Sequence, residues 1–425
     1  MARRRAFACS FDARFPDISA LAIPSAFSLA STYQRPRWVL PIIVFAQFAC
    51  TSLWFAGNAV LPDLLRESGL TGTSLGAVVS AVQLGFIVGT LAFGLLRLAD
   101  RVPPARLFMG CAVLGSLTNA ALLLPGTTAA TVLGLRFATG LCLAGIYPVG
   151  MKIAADYYEN GLGRALGYLV GALVLGTALP HLLRWLAAGF AWQAVVLATS
   201  GLALLGGGLL WGLVPSGPFR RPGVRVRLSA AWNVFRERAF RQAVLGYFGH
   251  MWELYTFWAF VPLLLATHAQ LHPEAGPVSP AWAFGLIAAG APACVAGGYL
   301  ARRWGSLGTA RVALAVSGVC CLLSPLLLAL PRPAFGAGVL VWGMAVVADS
   351  PQFSAVVAQR APKFATGTAL TLVTCLGFAL TIVSLQLFAA LQSVLEARYL
   401  FLLLVPGPVL GLLATRGSAK KPVAE

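Results

Sequence analysis

The sequence predicts an all-α integral membrane protein with 12 transmembrane helices arranged as two six-helix, pseudo-symmetric bundles. Of its 425 residues, 59% are hydrophobic and only 10% are charged, and its mean hydropathy is +0.82. Soluble domains are about 25% charged, so this chain has too few charges to cover a water-facing surface of ordinary size. Apolar stretches of the about 20 residues that a spanning helix needs recur along the chain, and the alternating pattern of a transmembrane β-barrel is not visible.

Proline, glycine and charged residues separate the apolar stretches and define the predicted spans. The twelve spans cover residues 38–60, 73–96, 105–124, 128–150, 163–184, 191–213, 242–266, 280–301, 309–330, 334–357, 366–392 and 396–414. The predicted domains are an N-terminal tail at 1–37, a six-helix bundle at 38–214, a basic linker at 215–241, a second bundle at 242–415 and a C-terminal tail at 416–425. Asp12, Arg14 and Asp17 interrupt any signal-peptide core in the N-terminal tail. We therefore expect a disordered cytoplasmic tail or, alternatively, a start codon assigned too far upstream.

The basic residues predict the orientation of the chain. Of the 31 lysines and arginines, 26 lie in the tails and in the loops on one side, four lie in the opposite loops, and Arg136 lies within span 4. This imbalance places both termini and the basic linker in the cytoplasm. It also accounts for the net charge of +18 without a nucleic-acid partner. The expected location is a bacterial inner membrane, with the lipid bilayer as partner.

The two halves contain similar turns after their second spans. Residues 94–107 read GLLRLADRVPPARL, and residues 297–312 read GGYLARRWGSLGTARV. With the twelve spans and the basic central linker, these turns resemble the G-x-L-A-[D/R]-R-x-G motif of the major facilitator superfamily. The resemblance assigns gating roles to Asp100 and Arg101 in the first turn and to Arg302 and Arg303 in the second. The second turn has Arg302 in place of the usual acid, and the first lacks two of the expected glycines.

Spans 4 and 5 extend this resemblance. Span 4 contains LGLRFATGLCLAG, with Arg136 and Gly140 at the matching positions, and span 5 is a glycine-stepped helix that ends in Pro180. The resemblance runs from about residue 38 to 415. It implies a secondary transporter of the MFS type, in which spans 1, 4, 7 and 10 line a central cavity and the span 4 arginine takes part in proton coupling.

Three ionisable residues fall within those spans. Such a group costs about 2.5–3.5 kcal/mol in hydrocarbon and usually faces a cavity or a partner. Arg136 is expected to hold an anionic substrate or to tune a proton-carrying acid; alternatively, it bonds to neighbouring helix ends. Glu253 is expected to carry a proton or cation; alternatively, it is a structural acid paired with His250 or an arginine. Asp349 lies two residues before Pro351, which should break span 10. Asp349 is expected to carry protons; alternatively, it pairs with loop arginines.

Polar and aromatic residues on spans 1, 7 and 10 complete the predicted substrate site. Span 7 has His250, Glu253 and Phe257 on one helical face, and its tryptophans and tyrosine widen that face into an aromatic wall. Span 1 carries one polar stripe with helical spacing. The predicted substrate-binding residues are Gln47, Thr51, Trp54, Asn58, Arg136, His250, Trp252, Tyr255, Trp258 and Gln352.

The sequence indicates a transporter and not an enzyme. It contains no HExxH, Walker or GxSxG motif. Its four histidines are scattered, and seven of its eight cysteines lie in apolar spans, so we expect neither a metal nor a cofactor. The leading hypothesis is a monomeric, proton-coupled secondary transporter that moves a small organic solute by alternating access. The alternatives are an uncoupled facilitator or exchanger of small anions, and a receptor or assembly factor that has the same fold but does not transport.

Overall fold

Helices form all the regular secondary structure of the residues that the computed structural model describes. The described residues are 36–68, 75–158, 162–187, 191–220, 235–276, 278–361 and 366–416. Residues 1–37 are a separate unit, so the account below concerns the unit from Trp38 onward. Nearly all of the predicted N-terminal tail, linker residues 221–234 and C-terminal residues 417–425 lie outside the described residues.

The helices follow the order of the predicted spans. Before the linker they are α1 (Val39–Thr51), α2 (Leu53–Ser68), α3 (Leu75–Leu96), α4 (Leu98–Arg101), α5 (Pro104–Ala120), α6 (Ala129–Leu143), α7 (Tyr147–Ala155), α8 (Leu162–Leu186) and α9 (Gln193–Leu213). After it they are α10 (Arg238–Leu271), α11 (Pro280–Ala288), α12 (Gly290–Leu322), α13 (Ser324–Leu328), α14 (Arg332–Ala348), α15 (Ser350–Arg360), α16 (Thr366–Leu391) and α17 (Pro406–Thr415). Short 3₁₀ turns cover Ala121–Leu123, Pro273–Ala275 and Leu400–Leu404.

The described residues contain ten helical stretches that are long and apolar enough to cross a membrane. The chain is therefore an integral membrane protein, but the predicted count of twelve separate spans is not confirmed. Predicted span 8 and the first part of predicted span 9 fall within one stretch of 43 residues, Pro280–Leu322. The last span corresponds to the shorter stretch Leu400–Thr415.

Gly305 divides this 43-residue stretch into two segments, which correspond to predicted spans 8 and 9. Its backbone is not helical, with φ at 71°, a conformation that glycine adopts without a steric penalty. A Cβ built on Gly297 would lie 3.9 Å from Cγ2 of Thr309, although these residues would be roughly 18 Å apart along a straight helix. The chain therefore reverses its direction near Gly305, and α12 consists of two segments that lie side by side.

In three of the long stretches the helical hydrogen-bond pattern is interrupted for one to three residues, although each stretch continues through the interruption. Span 10 is divided at Asp349, between α14 and α15, and Pro351 lies in the first turn of the new helix, where its missing N–H costs nothing. This break was predicted. Span 1 is also divided at Ser52, and span 4 between Leu143 and Tyr147; these two breaks were not predicted.

The helices on either side of the linker contact each other at two places. Helix α3 packs against α16, and α8 packs against α11 and α12. Helix α10 packs mainly against α15, α16 and α17. The grouping of the helices into two six-helix bundles stays a prediction. The first linker residues are held at the end of α7, where Phe219 N donates to Asp156 O at 3.0 Å and the Tyr157 hydroxyl donates to the carbonyl of Pro215.

Candidate functional site

Arg136 on α6 is fully buried and bonds to span 1 close to its break. Its Nη2 donates to the carbonyl oxygens of Leu53 at 2.9 Å and Trp54 at 2.6 Å, and its Nη1 donates to Oδ1 of Asn119 at 3.3 Å. Its Nε has no partner, and no carboxylate of the described residues pairs with it. The guanidinium therefore joins α6 to α2 as a buried cation that keeps one free donor.

Asn119 on α5 connects this arginine to α9. Its Nδ2 donates to Oγ of Ser200 at 3.0 Å and to Oγ1 of Thr199 at 3.2 Å, while its Oδ1 accepts from Arg136. We did not predict a role for Asn119. A signal was present, since Ser116 and Asn119 lie one helical turn apart in an apolar span, but isolated polar residues of that kind often serve only packing.

Gly57 on α2 makes room for the arginine side chain. A Cβ at this position would lie 2.8 Å from Nε and 3.0 Å from Cδ of Arg136. Alanine favours a helix over glycine by up to about 1 kcal/mol, whereas overpacking costs about 1–3 kcal/mol. We expect Gly57→Ala to lower the thermal unfolding midpoint of the purified protein. Gly134→Ala on α6, where the Cβ meets no atom within 4 Å, is the matched control; a Gly57→Ala protein as stable as this control would contradict the close approach.

Glu253 on α10 faces α12 and is fully buried. Its Oε2 accepts hydrogen bonds from the hydroxyl of Ser317 at 2.8 Å and from the thiol of Cys321 at 3.4 Å. Its Oε1 has no partner, and none of the described basic side chains forms an ion pair with it. The alternative in which His250 or an arginine pairs with Glu253 is therefore not what the structure contains.

His250 instead pairs with Asp349 at the break in span 10. Its Nδ1 lies 2.8 Å from Oδ1 of Asp349, and neither side chain has any exposed surface. The contact joins α10 to the junction between α14 and α15. Phe257 lies two turns beyond His250 on the same face of α10. It packs against Trp342 of α14, with ring centroids 4.7 Å apart. This face of span 7 thus contacts spans 9 and 10.

A second face of α10 contributes to an aromatic cluster, defined as Trp54, Phe86, Tyr255, Trp258 and Phe378. The ring of Trp54 lies 5.7 Å from both Tyr255 and Phe378, and Phe86 lies 4.5 Å from Phe378. The cluster joins helices from before the linker to helices after it. The indole nitrogens of Trp54 and Trp258 are buried and have no acceptor in the described part of the chain.

Trp252 lies apart from this cluster. Its Nε1 donates to the carbonyl of Leu403 at 2.9 Å, and its ring lies against Gly407 of α17. The structure therefore brings together two of the three predicted aromatic wall residues, and the third contacts the last helix. Gln352, which lies one turn beyond the span 10 break, is buried beside Gly297 of α12.

The four residues of the polar stripe of span 1 contact different neighbours. The amide of Gln47 lies against Gly150 of α7 and has no hydrogen-bond partner. Thr51 donates to the carbonyl oxygen of Gln47 at 2.8 Å and lies against Gly176 of α8. Trp54 belongs to the aromatic cluster. Asn58 lines a cavity.

That cavity, called here the outer cavity, has a volume of about 300 Å³. Its position at the C-terminal halves of α2, α8 and α10 corresponds to the side predicted to face away from the cytoplasm. It is lined by Asn58, Leu61, Pro62, Leu65, Leu75, His181, Ala259 and Pro262.

The two predicted gating turns differ from each other. In the first turn, Oδ1 of Asp100 accepts a hydrogen bond from Nζ of Lys152 at 2.6 Å, which joins this turn to α7. Oδ2 of Asp100 lies 3.3 Å from Nε of Arg97. Arg101 is exposed. In the second turn, Arg302 and Arg303 are both exposed, and the guanidinium of Arg302 lies 5.5 Å from the ring centroid of Tyr299.

Arg136 makes no direct contact with Glu253 or Asp349 among the described residues. The structure brings Arg136 to span 1, and it brings Asp349 and Glu253 to spans 7, 9 and 10. The predicted ionisable residues thus form two groups. These are a cationic group before the linker and an acidic group with one histidine after it.

Comparison with known proteins finds a matching transporter family and two related transport proteins. A family model described as the Major Facilitator Superfamily matches residues 43–385. The inner membrane transport protein YdhP of Escherichia coli K12 is 27% identical over 329 residues, which are 74% of this chain and 79% of YdhP. The sialic acid transporter NanX of the same organism is 28% identical over 194 residues, 41% of this chain. That match spans only 45% of NanX.

The fold is also similar to that of a solved transporter. The crystal structure of the human organic anion transporter MFSD10 (TETRAN) superposes with a TM-score of 0.67 and covers 90% of this chain and all of that chain, at 17% identity. At this identity the likeness concerns the fold alone. Because the family model matches most of the sequence and the described helices have this arrangement, the chain belongs to the Major Facilitator Superfamily of transporters.

Proposed function

We propose that this protein is a secondary active transporter that carries a small organic solute together with protons by alternating access. The observation that carries the proposal is the buried acidic group around α10: His250 paired with Asp349, and Glu253 one turn away. Ionisable groups at membrane depth are costly and usually belong to ion or proton pathways. Discontinuous helices of the kind formed at Asp349 commonly build such sites in transporters.

Glu253 is the proposed proton carrier. As an anion it would be buried with two hydrogen bonds from neutral donors and without a neighbouring cation, which is an expensive arrangement. A proton removes that charge. If the surrounding helices separate and admit water, the carboxyl group can release the proton. The junction at Asp349 gives the adjacent helices a place at which to move, and its pairing with His250 would then change.

The proposed substrate class is a small organic anion with an apolar body. Arg136 is a buried cation without a carboxylate partner in the described residues, and its Nε is free. The aromatic cluster offers two indole N–H donors without acceptors. One sequence relative, NanX, is named as a transporter of sialic acid, an organic acid. A thermal-shift screen of organic acids, amines and neutral solutes at two pH values would identify candidates.

Alternating access would require the aromatic cluster to open. Trp54 and Phe86 come from before the linker, and Tyr255 and Phe378 come from after it. All four rings are buried, so a solute can reach them only when α2 and α3 separate from α10 and α16. The chain is proposed to act as a monomer in the bacterial inner membrane with cytoplasmic termini, for which the distribution of basic residues is the support.

Glu253→Gln tests the coupling. The substitution keeps the size of the side chain and removes its ability to exchange a proton. We expect proteoliposomes with this variant to bind the solute but to move at least tenfold fewer protons per solute, measured with an internal pH-sensitive dye and labelled solute. Glu274→Gln, at an exposed loop position, is the control and should keep the wild-type ratio. An undiminished ratio in Glu253→Gln would end the proposed role.

The second candidate is an uncoupled facilitator or exchanger of small anions, which the unpaired Arg136 favours. It would give solute flux or counterflow with no proton flux in the same vesicles. A third outcome, in which solute binds but does not move in either direction, would favour a receptor or assembly factor.

A further inference from the structure

The outer cavity contains buried polar atoms that have no protein partner. Asn58 is 8% exposed, and neither its Oδ1 nor its Nδ2 has a hydrogen bond; His181 is 6% exposed, and its Nε2 has none. About nine in ten buried polar atoms in proteins are bonded to protein or ordered water. Three unsatisfied atoms from two side chains that line one small cavity therefore indicate that its occupant is a hydrogen-bonding molecule.

The two side chains and the cavity wall define the chemistry of that molecule. The amide of Asn58 can donate, and the imidazole of His181 can donate from Nε2 in the appropriate tautomer. A carboxylate accepts both bonds at once. None of the residues that line the cavity is acidic, and the rest of its wall is apolar, with Leu61, Leu65 and Pro262 as examples. The wall therefore accommodates a short apolar tail.

Asp63, a charged residue beside the cavity wall, is already paired. Asp63, which lies beside the wall residue Pro62, is 2.5 Å from Nη2 of Arg184 and 3.9 Å from Nη1 of Arg66. Its negative charge is thus balanced by two arginines, one of which lies one turn beyond His181 on α8. Asp63 therefore does not place an unbalanced negative charge beside the cavity.

We propose that the outer cavity is a binding site for a small carboxylate, separate from the buried groups around Arg136 and Glu253. The volume of about 300 Å³ corresponds to roughly ten water molecules, which suits an acid of a few carbon atoms. The idea that this cavity is an entry site for the transported solute rests on the proposed transport function. The idea that the cavity binds a carboxylate does not depend on transport.

The site is also tied to the conformation of the protein. Asn58, Leu75 and His181 lie on helices before the linker, whereas Ala259 and Pro262 belong to α10, after it. Any movement of α10 away from α2 would open one wall of the cavity. A carboxylate bound between these helices therefore stabilises the arrangement seen here and should restrict that movement.

The experiment uses a cysteine placed at Ala259, which lines the cavity opposite Asn58 and His181. The full chain with Ala259→Cys is reconstituted without any ion gradient, and its rate of modification by N-ethylmaleimide is followed by intact-protein mass spectrometry. Wild-type protein supplies the background of the native cysteines. The probes are butanoate, butanamide and butylammonium. We expect butanoate to slow the modification at least threefold, and the other two probes to have less effect.

Two further variants test the two polar side chains. Asn58→Leu and His181→Phe, each with Ala259→Cys, should remove the protection by butanoate, and thermal unfolding of each variant confirms that it is folded. Glu274→Cys, in the exposed loop after α10, controls for direct effects of the probes on the reagent and should show no protection. Because the assay needs no flux, it can succeed with a chain that does not transport and can fail with one that does.

Several results would overturn the proposal. Equal modification rates with and without butanoate would show that the cavity holds water alone. Equal protection by butanamide would show that no carboxylate is selected. Protection that persists in both the Asn58→Leu and His181→Phe backgrounds would place the probe elsewhere. An Ala259→Cys protein that is never modified would show that solutes do not reach the cavity.

Discussion

Replacing His250 with alanine should destabilise the protein by about 3–5 kcal/mol, because it leaves the fully buried Asp349 without its partner. The expected measurement is a fall in the thermal or denaturant unfolding midpoint of the purified protein. Transport should fall with it, since the pair lies at the break between α14 and α15. A much smaller change would show that the 2.8 Å contact contributes little to the folded state.

A second substitution makes this prediction specific to the charge. Asp349→Asn removes the carboxylate, so the double variant His250→Ala/Asp349→Asn should be more stable than His250→Ala alone. Additive losses from the two substitutions would contradict the direct pairing, because residues that do not interact give additive effects. Stability can recover in the double variant without recovery of coupled transport, which would separate the structural part of the pair from its proposed proton role.

Arg136→Lys should reduce transport at least tenfold and lower the unfolding midpoint, although it keeps the positive charge. The planar guanidinium donates to Leu53, Trp54 and Asn119 at once, whereas a lysine ammonium is a compact charge that cannot reproduce this geometry. Each lost hydrogen bond from a charged group costs about 1.5–3 kcal/mol. Uptake in proteoliposomes and thermal unfolding measure the two effects.

Arg66→Lys provides the control, since the side chain of Arg66 is 78% exposed at the end of α2. It should leave both uptake and stability unchanged. If Arg136→Lys also transports at the wild-type rate, only the charge matters, and the bonds to the span 1 carbonyls have no part in function. If it is stable but does not transport, the guanidinium geometry acts on the solute or on coupling.

Much of the fold was predictable because its signals are local. Span lengths and breaks follow from runs of apolar residues and from proline, and the division of span 10 at Asp349 agrees with Pro351. The break at Ser52 has no proline nearby and was missed, as was the division of span 4. The loop predicted between spans 8 and 9 corresponds to the reversal at Gly305, where the backbone is not helical.

The sequence was enough to predict which residues belong to the candidate site. It was not enough to predict which residues they bond to. Arg136, Glu253, His250 and Asp349 are recognisable from sequence, since charged or titratable groups rarely occur in apolar spans without a purpose. Their partners are ordinary residues. Ser317 and Cys321 accompany Glu253, and Asn119 accompanies Arg136. Residues of these types occur on most spans of this chain.

Composition and spacing were enough to place this chain in a membrane and to identify which side chains are too costly to be buried without a partner or a task, because both properties depend on each segment's own transfer free energy. Which side chains meet depends on how far each helix slides and rotates against its neighbours. Two residues on one face of α10 consequently have different partners: His250 contacts Asp349, and Glu253 contacts Ser317. Only the packed helices could decide that, since a shift of one turn would exchange those contacts.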